Sequence, residues 1–249
     1  MRVAALYDIH GNIPALEAVL DDIRSAGVDE IVVGGDVVLG PMPNETLARL
    51  LALDVPVHFI EGNCDREVIA QLDGDELSHL PAQVREIVGW VAQQMPPGYV
   101  RELESWPMTL RLAVDGLGDV LFCHATPRND NEIFTQLTRE EVLLPVFEEV
   151  NAAVVVCGHT HMQFDRTVGG LRVVNAGSVG MPFGEPGANW LLLGPDAELR
   201  HTTYDVGDAA ERIRATSFPY ADHFARQSVL QPPAKEAMLK AYTKAELSP

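Results

Sequence analysis

Basic residues are scarce in this chain. Of 249 residues, 18 are Lys or Arg against 36 Asp or Glu, a formal net charge of -18. So acidic a chain lacks the basic footprint that a duplex phosphate backbone or an anionic lipid surface demands, which argues against both as broad partners. Cysteine is scarcer still. Cys64, Cys123 and Cys157 are an odd set with no framework spacing, which speaks against a disulfide-stapled scaffold and for thiols in a reducing compartment. Small buried hydrophobe is their plain role. No apolar run approaches the ~20 residues of a membrane span, and the opening MRVAALYDIHGN has too short an apolar stretch and too early an aspartate for a signal peptide. A cytoplasmic protein is the expectation, without internal repeats or low-complexity segments.

What is present suffices for a sizeable core, with 47% hydrophobic residues. Arg2 to Tyr7 reads as a compact strand. Pro14 to Ala26 carries Leu16, Val19, Leu20 and Ile23 at helical spacing and stops at Gly27. EIVVGGD is a second strand, PNETLARLLAL a helix and VPVHFI a third strand, the alternation of a layered α/β fold. From about residue 67 to 107 the pattern is helical, with Leu80, Val84, Ile87, Val88, Val91 and Met95 on one face. That segment either caps a pocket or flanks the core. The second half is mostly short β runs: TLRLAV, DVLFCH, NAAVVVCGH, MQFDRTV, LRVVNAG, NWLLLG and ELRHTTY, with one helix near Thr138 to Val150. From about residue 206 a polar helical tail follows, broken at QPPAK, which docks on the core or on another subunit. The whole, 1–249, is expected to be one domain, and a homo-oligomer is left open.

Five short motifs fall at the ends of expected strands: DIHGN (Asp8 to Asn12), GGD (Gly34 to Asp36), GNCD (Gly62 to Asp65), CHATP (Cys123 to Pro127) and GHTH (Gly158 to His161). In extended chain, residues two apart face the same side, so Asp8 with His10, and His159 with His161, can aim as pairs into one pocket. Two carboxylates, one amide oxygen and four imidazoles are then on offer. A structural zinc normally takes four ligands, so the larger set suits two ions sharing a carboxylate, a pair able to clamp the attacking and leaving oxygens of a phosphoryl displacement. Mixed oxygen and nitrogen donors favour Mn, Fe, Zn or Ni over calcium. The remaining histidines, His58, His79, His201 and His223, have no such context and are assigned structural or solvent-exposed roles.

In their order, these motifs resemble the signature D-x-H, G-D, G-N-H-D/E, H, G-H-x-H of the calcineurin-like metallophosphoesterases. The match runs from Asp8 to His161 and looks most like the compact bacterial and archaeal branch, as does the later NAGSVGMP, Asn175 to Pro182. The resemblance implies a four-layer αββα sandwich of two mixed β-sheets flanked by helices. It implies that Asp8, His10 and His161 hold one metal, that Asn63, His124 and His159 hold the other, and that Asp36 bridges both. Asp36, Asn63 and His124 would carry the catalytic step, with a metal-bridging hydroxide as nucleophile. Asn12, Arg66 and Arg128 are candidate substrate contacts, each arginine having a plain surface role as its alternative.

The departures are Cys64, where many members have a histidine, Tyr7 before the first aspartate, and Ala176, where many have proline. Cys64 is a weak donor with an ordinary pKa of about 8.5 and reads as filler beside Asn63. A small phosphate ester, preferably a diester, is the expected substrate. A phosphomonoesterase or a protein or nucleotide phosphatase is the alternative within the same chemistry, and a non-catalytic metal-binding scaffold the alternative outside it.

Overall fold

The computed structural model describes residues 1–245 and 247. Two five-stranded sheets are built from strands that alternate their side chains between two different cores. The first sheet contains β1 (Val3–Leu6), β2 (Glu30–Val33), β3 (Val57–Phe59), β9 (Ala188–Leu193) and β10 (Ala197–Thr202), in the order β10-β9-β1-β2-β3. β1, β2 and β3 run parallel, and β9 pairs antiparallel with both β1 and β10. The second sheet orders β4 (Thr109–Val114), β5 (Gly118–Cys123), β6 (Val154–Cys157), β8 (Leu171–Asn175) and β7 (Phe164–Val168), with β5, β6 and β8 parallel.

Period-two alternation explains the layering. Val3, Ala5 and Tyr7 face the core between the sheets, together with Val120, Phe122, Val154 and Val156. Ala4 and Leu6 face the opposite way, toward a core roofed by helices. Leu121, Cys123, Val155 and Cys157 form a third core under α6 (Glu140–Phe147). Strands buried on both faces read as unbroken apolar runs, and a sandwich flanked by helices on both sides follows. Cys123 and Cys157 are thus fully buried apolar packing, as expected.

The helix α1 (Ile13–Ala26) buries Leu16, Val19, Leu20 and Ile23 against the first sheet and ends at Gly27, whose left-handed φ of 64° and N–H bond to Ile23 O close the last turn. α2 (Pro43–Leu51) packs in the same layer. The segment read as helical from about residue 67 starts earlier and is interrupted. α3 (Asn63–Leu72), α4 (Ala82–Gln94) and α5 (Pro97–Leu103) are separate, so Leu80 and Met95 lie outside helix. The cause of the early start is Asp65, whose carboxylate accepts the backbone N–H of Gly62 and caps α3 from inside its first turn. Asn63 and Cys64 therefore open a helix rather than sit in a strand-end loop. The tail, α7 (Val206–Arg214), α8 (Ala221–Phe224), a π-helical turn Ala225–Leu230 and α9 (Lys235–Tyr242), docks on its own core through Ala209, Ile213, Phe218, Phe224 and Val229. Among the described residues, no helix is long and apolar enough to cross a membrane.

Candidate metal centre

The parallel strands β1, β2, β3, β5 and β6 each deliver polar residues just past their C-terminal ends, the usual place for a site in an α/β sheet. Asp8 and His10 follow β1, Asp36 follows β2, Asn63 follows β3 at the start of α3, His124 follows β5, and His159 and His161 follow β6. The backbone is sharply turned at these points: φ is 53° at Asp8, 48° at His10, 54° at Asp36, 64° at His159 and 58° at His161. Left-handed conformation is uncommon outside glycine and clusters at functional sites. Here it ends each strand and swings the side chain toward the gap between the sheets. Close approach of the loops needs glycine: a Cβ on Gly35 would come within 2.6 Å of the Gly62 backbone.

The side chains converge. His161 Nε2 lies 3.4 Å from Asp8 Oδ1, His10 Nε2 3.7 Å from Asp36 Oδ2, and His124 Nε2 3.5 Å from Asp36 Oδ1. Three groupings have all their ligand atoms within 4.8 Å of one another: Asp8, His10 and His161; His10, Asp36 and Cys64; Asp36, His124 and His159. Asp36 belongs to two of them. The Nδ1 atoms of His10, His124 and His161 each meet a backbone carbonyl, of Leu39, Gly34 and Met181. A carbonyl only accepts, so each Nδ1 carries a proton and, in the neutral ring, each Nε2 turns its lone pair into the site. Asp8 Oδ1, Asn63 Oδ1 and His124 Nε2 are buried with no hydrogen-bond partner.

A second set of bonds holds these groups in place. Asp36 Oδ1 accepts the Cys64 N–H at 2.9 Å and Asp8 Oδ2 accepts the His159 N–H at 2.9 Å. Asp65 Oδ1 accepts from Val37 N and Val38 N, tying the loop after β2 to α3. Asn175 Nδ2 donates to Gly158 O, and Ser178 Oγ donates to Asp8 O. Neither Asp65 nor Asn175 is distinguishable as a clamp in the sequence, although both lie inside the quoted motifs. Asn63 donates from its amide to Cys64 Sγ at 3.5 Å, and its buried oxygen has no hydrogen-bond partner.

Desolvation works against charge throughout this buried cluster. At His159 it wins and lowers the imidazole to about 4. At His124 the opposing field of Asp36 and Asp8 overcomes it and lifts the imidazole to about 10. Asp36 is held well below the usual carboxylate range against its burial, chiefly by His124. The site thus draws in positive charge. The Cys64 thiol is pushed well up, by burial first and by Asp36 and Glu67 next, so it is neutral.

The three candidate substrate contacts are otherwise engaged. Asn12 is fully buried, donates to Gly180 O at 2.9 Å and accepts from Ala15 N as the cap of α1. Arg66 forms a two-pronged bond to Asp130, and Arg128 pairs with Glu132. Of the histidines set aside, His58 bonds Glu30, His201 bonds Asn189 and His79 is exposed. His223 differs, for it lines the cavity over the cluster. Nothing near it in sequence signals that, because the tail is brought there only by its packing. Tyr7 fills the space between the sheets and donates its hydroxyl to Val156 O, while Ala176 N donates to Cys157 O, a bond proline could not make.

Comparison with known proteins agrees with this architecture. The calcineurin-like phosphoesterase superfamily domain matches residues 1–196. An uncharacterized protein of Methanocaldococcus jannaschii is 27% identical over 237 residues, 87% of this chain and 93% of that protein. The crystal structure of a hypothetical protein from Pyrococcus horikoshii OT3 superposes with a TM-score of 0.78 at 21% identity, covering 94% of this chain and 99% of the other. That of a metallophosphoesterase from Sphaerobacter thermophilus gives 0.70 at 26% identity, covering 92% and 99%. With four layers, ordered motifs and a domain match across most of its length, the chain belongs to the calcineurin-like phosphoesterase superfamily, a family of metal-dependent phosphoester hydrolases.

Proposed function

We propose that the protein hydrolyses phosphodiesters in preference to monoesters, at a centre of two divalent transition metal ions. Asp8, His10 and His161 would hold one ion and Asn63, His124 and His159 the other, with Asp36 shared. The observation that carries this reading is the set of buried polar atoms with no hydrogen-bond partner, Asp8 Oδ1, Asn63 Oδ1 and His124 Nε2. A buried polar atom left unpaired costs roughly 1–3 kcal/mol, and two divalent cations, the second displacing any proton on His124, would answer all three. The donor chemistry, imidazole with carboxylate and amide oxygen, fits Mn, Fe, Zn or Ni. When bound, the ions would neutralise phosphate oxygens and acidify the attacking water.

The chain's own residues supply orientation. Backbone carbonyls fix the tautomers of His10, His124 and His161, and the Cys64 N–H fixes Asp36 between the two ligand groups. The neutral Cys64 thiol is a poor proton donor, so esters whose alcohol departs without help are favoured. Diesters are favoured over monoesters by charge: among the described residues, no Lys or Arg lines the cavity over the site to meet a monoester's second negative charge. The test is direct. Protein stripped with chelator and reloaded with Mn(II) should cleave bis(p-nitrophenyl) phosphate faster than p-nitrophenyl phosphate, and stripped protein should cleave neither. Faster cleavage of the monoester would overturn the diester preference, and full activity after stripping would overturn the metal reading.

A further inference from the structure

The ligand cluster is the floor of a cavity of about 560 Å³, inside the range of about 300–1,000 Å³ for small-molecule sites. Its walls are apolar. Val84 and Ile87 of α4 form one side, Phe183 lies against His161 with ring centroids 5.4 Å apart, and Phe218, Phe224 and Met238 of the tail form the other. Resting on the phosphoesterase reading above, we infer that this cavity selects phosphate esters whose organic group is uncharged and apolar or aromatic.

Three observations carry the inference. The first is charge. Among the described residues, the lining includes no Lys or Arg, and above the floor its polar side chains are the amides of Gln83 and Gln227, the hydroxyls of Tyr220 and Ser228, and His223. Arg66 and Arg128 are held by Asp130 and Glu132, and Lys235 Nζ donates to Gln163 O. A second phosphate, a carboxylate or a phosphopeptide would meet no compensating cation in a desolvated pocket.

The second is that the walls are fixed to each other. Tyr220, at a left-handed φ of 64°, donates its hydroxyl to Glu86 of α4 at 2.6 Å, and Phe218 packs edge-on against Trp90 of α4 at 5.3 Å. Strained backbone and a π-helical turn are both features that gather at functional sites, and here Tyr220, Gln227 and Ser228, which carry them, all line the cavity. The third is location. The domain match ends at residue 196, so the tail wall lies outside the matched catalytic domain, where substrate choice can differ while the chemistry stays the same.

Equilibrium binding to the Mn(II)-loaded protein tests this without turnover. Diphenyl phosphate, dimethyl phosphate and bis(4-carboxyphenyl) phosphate present the same phosphodiester with different organic groups. Diphenyl phosphate should bind at least about tenfold tighter than dimethyl phosphate, and the carboxylated analogue should lose that advantage despite carrying the same two aromatic rings. Ile87→Asn and the near-isosteric Val84→Thr, checked for unchanged melting, should reduce the preference for diphenyl over dimethyl phosphate. Equal binding of the diphenyl and dimethyl esters, or a preference intact in both variants, overturns the inference. Preserved preference in a protein that cleaves no ester would count against the proposed hydrolysis and leave the cavity's selectivity standing, and cleavage without preference would do the reverse.

Discussion

The Nε2 atoms of His10 and His161 face each other at 3.2 Å, while each ring's Nδ1 proton is already given to a carbonyl, Leu39 O and Met181 O. Two lone pairs at that separation repel unless a cation lies between them or one ring is protonated. Divalent metal should therefore stabilise the native protein, by about 2.7 kcal/mol at a hundredfold excess over Kd, seen as a rise in Tm. His161→Ala should blunt that rise. A melting midpoint indifferent to metal in the parent protein would refute it.

Asp36 is the one carboxylate common to two of the ligand groupings. Asp36→Asn keeps the shape and one oxygen but removes the charge, so activity on an aryl diester should drop by at least about 100-fold, more than for Asn63→Ala. Metal content per chain, measured by elemental analysis, should fall with it. Near-normal turnover with metal retained would rule out a shared carboxylate.

The Cys64 thiol is neutral because it is buried beside Asp36 and Glu67. Alkylation by iodoacetamide at pH 7 should be far slower than that of an ordinary exposed thiol, since the thiolate is the nucleophile. Cys64→Ala should cost little on an aryl diester. Cys64→His should speed alkyl esters relative to aryl ones, because a general acid is worth about 10²–10⁴-fold where the leaving group needs a proton. Loss of all turnover in Cys64→Ala with metal still bound would make the thiol catalytic.

Asp65 receives three backbone N–H groups, from Val37, Val38 and Gly62. Asp65→Ala leaves them buried without a partner, and about 3 kcal/mol or more should be lost. Chemical denaturation reads this directly. A loss under about 1 kcal/mol would mean that water or a shifted loop replaces the carboxylate.

Glu67 is lifted from its ordinary 4.5 to about 7, by burial first and by Asp36 second. Between those values the native state holds a proton that the unfolded chain has released, so stability falls as pH rises through that window. In chelated protein, Glu67→Gln should flatten this decline between pH 4.5 and 7, with a difference on the order of 1 kcal/mol across it. Parallel stability curves for the two proteins would show that Glu67 does not titrate there.

The strands were legible because burial on both faces leaves an apolar run with nothing else to become, as in Val154 to Cys157. The convergence of Asp8, His10, Asp36, Asn63, His124, His159 and His161 was legible because alternation and strand-end position constrain where such side chains can point. Helix boundaries were harder. The helix expected from about residue 67 begins at Asn63 because its cap, Asp65, sits inside the first turn. The engagement of Arg66 was hidden for a different reason: its partner Asp130 comes from the loop after β5, which no local pattern brings to it, whereas Arg128 pairs within that loop with Glu132 four residues on. His223 was unreadable for the same reason, since its place over the site depends on how the whole tail folds back.

The left-handed turns at Asp8, His10, Asp36, His159 and His161 have a consequence for when the site is made. A flexible loop would have to order its donors at the moment an ion arrived and lose conformational entropy in the encounter. Here each donor's backbone is locked by the strand before it and by bonds such as His10 N to Asp36 O and His159 N to Asp8 Oδ2. That ordering cost is met once, when the chain folds. The array is a template cast in advance, and an incoming cation has little left to organise.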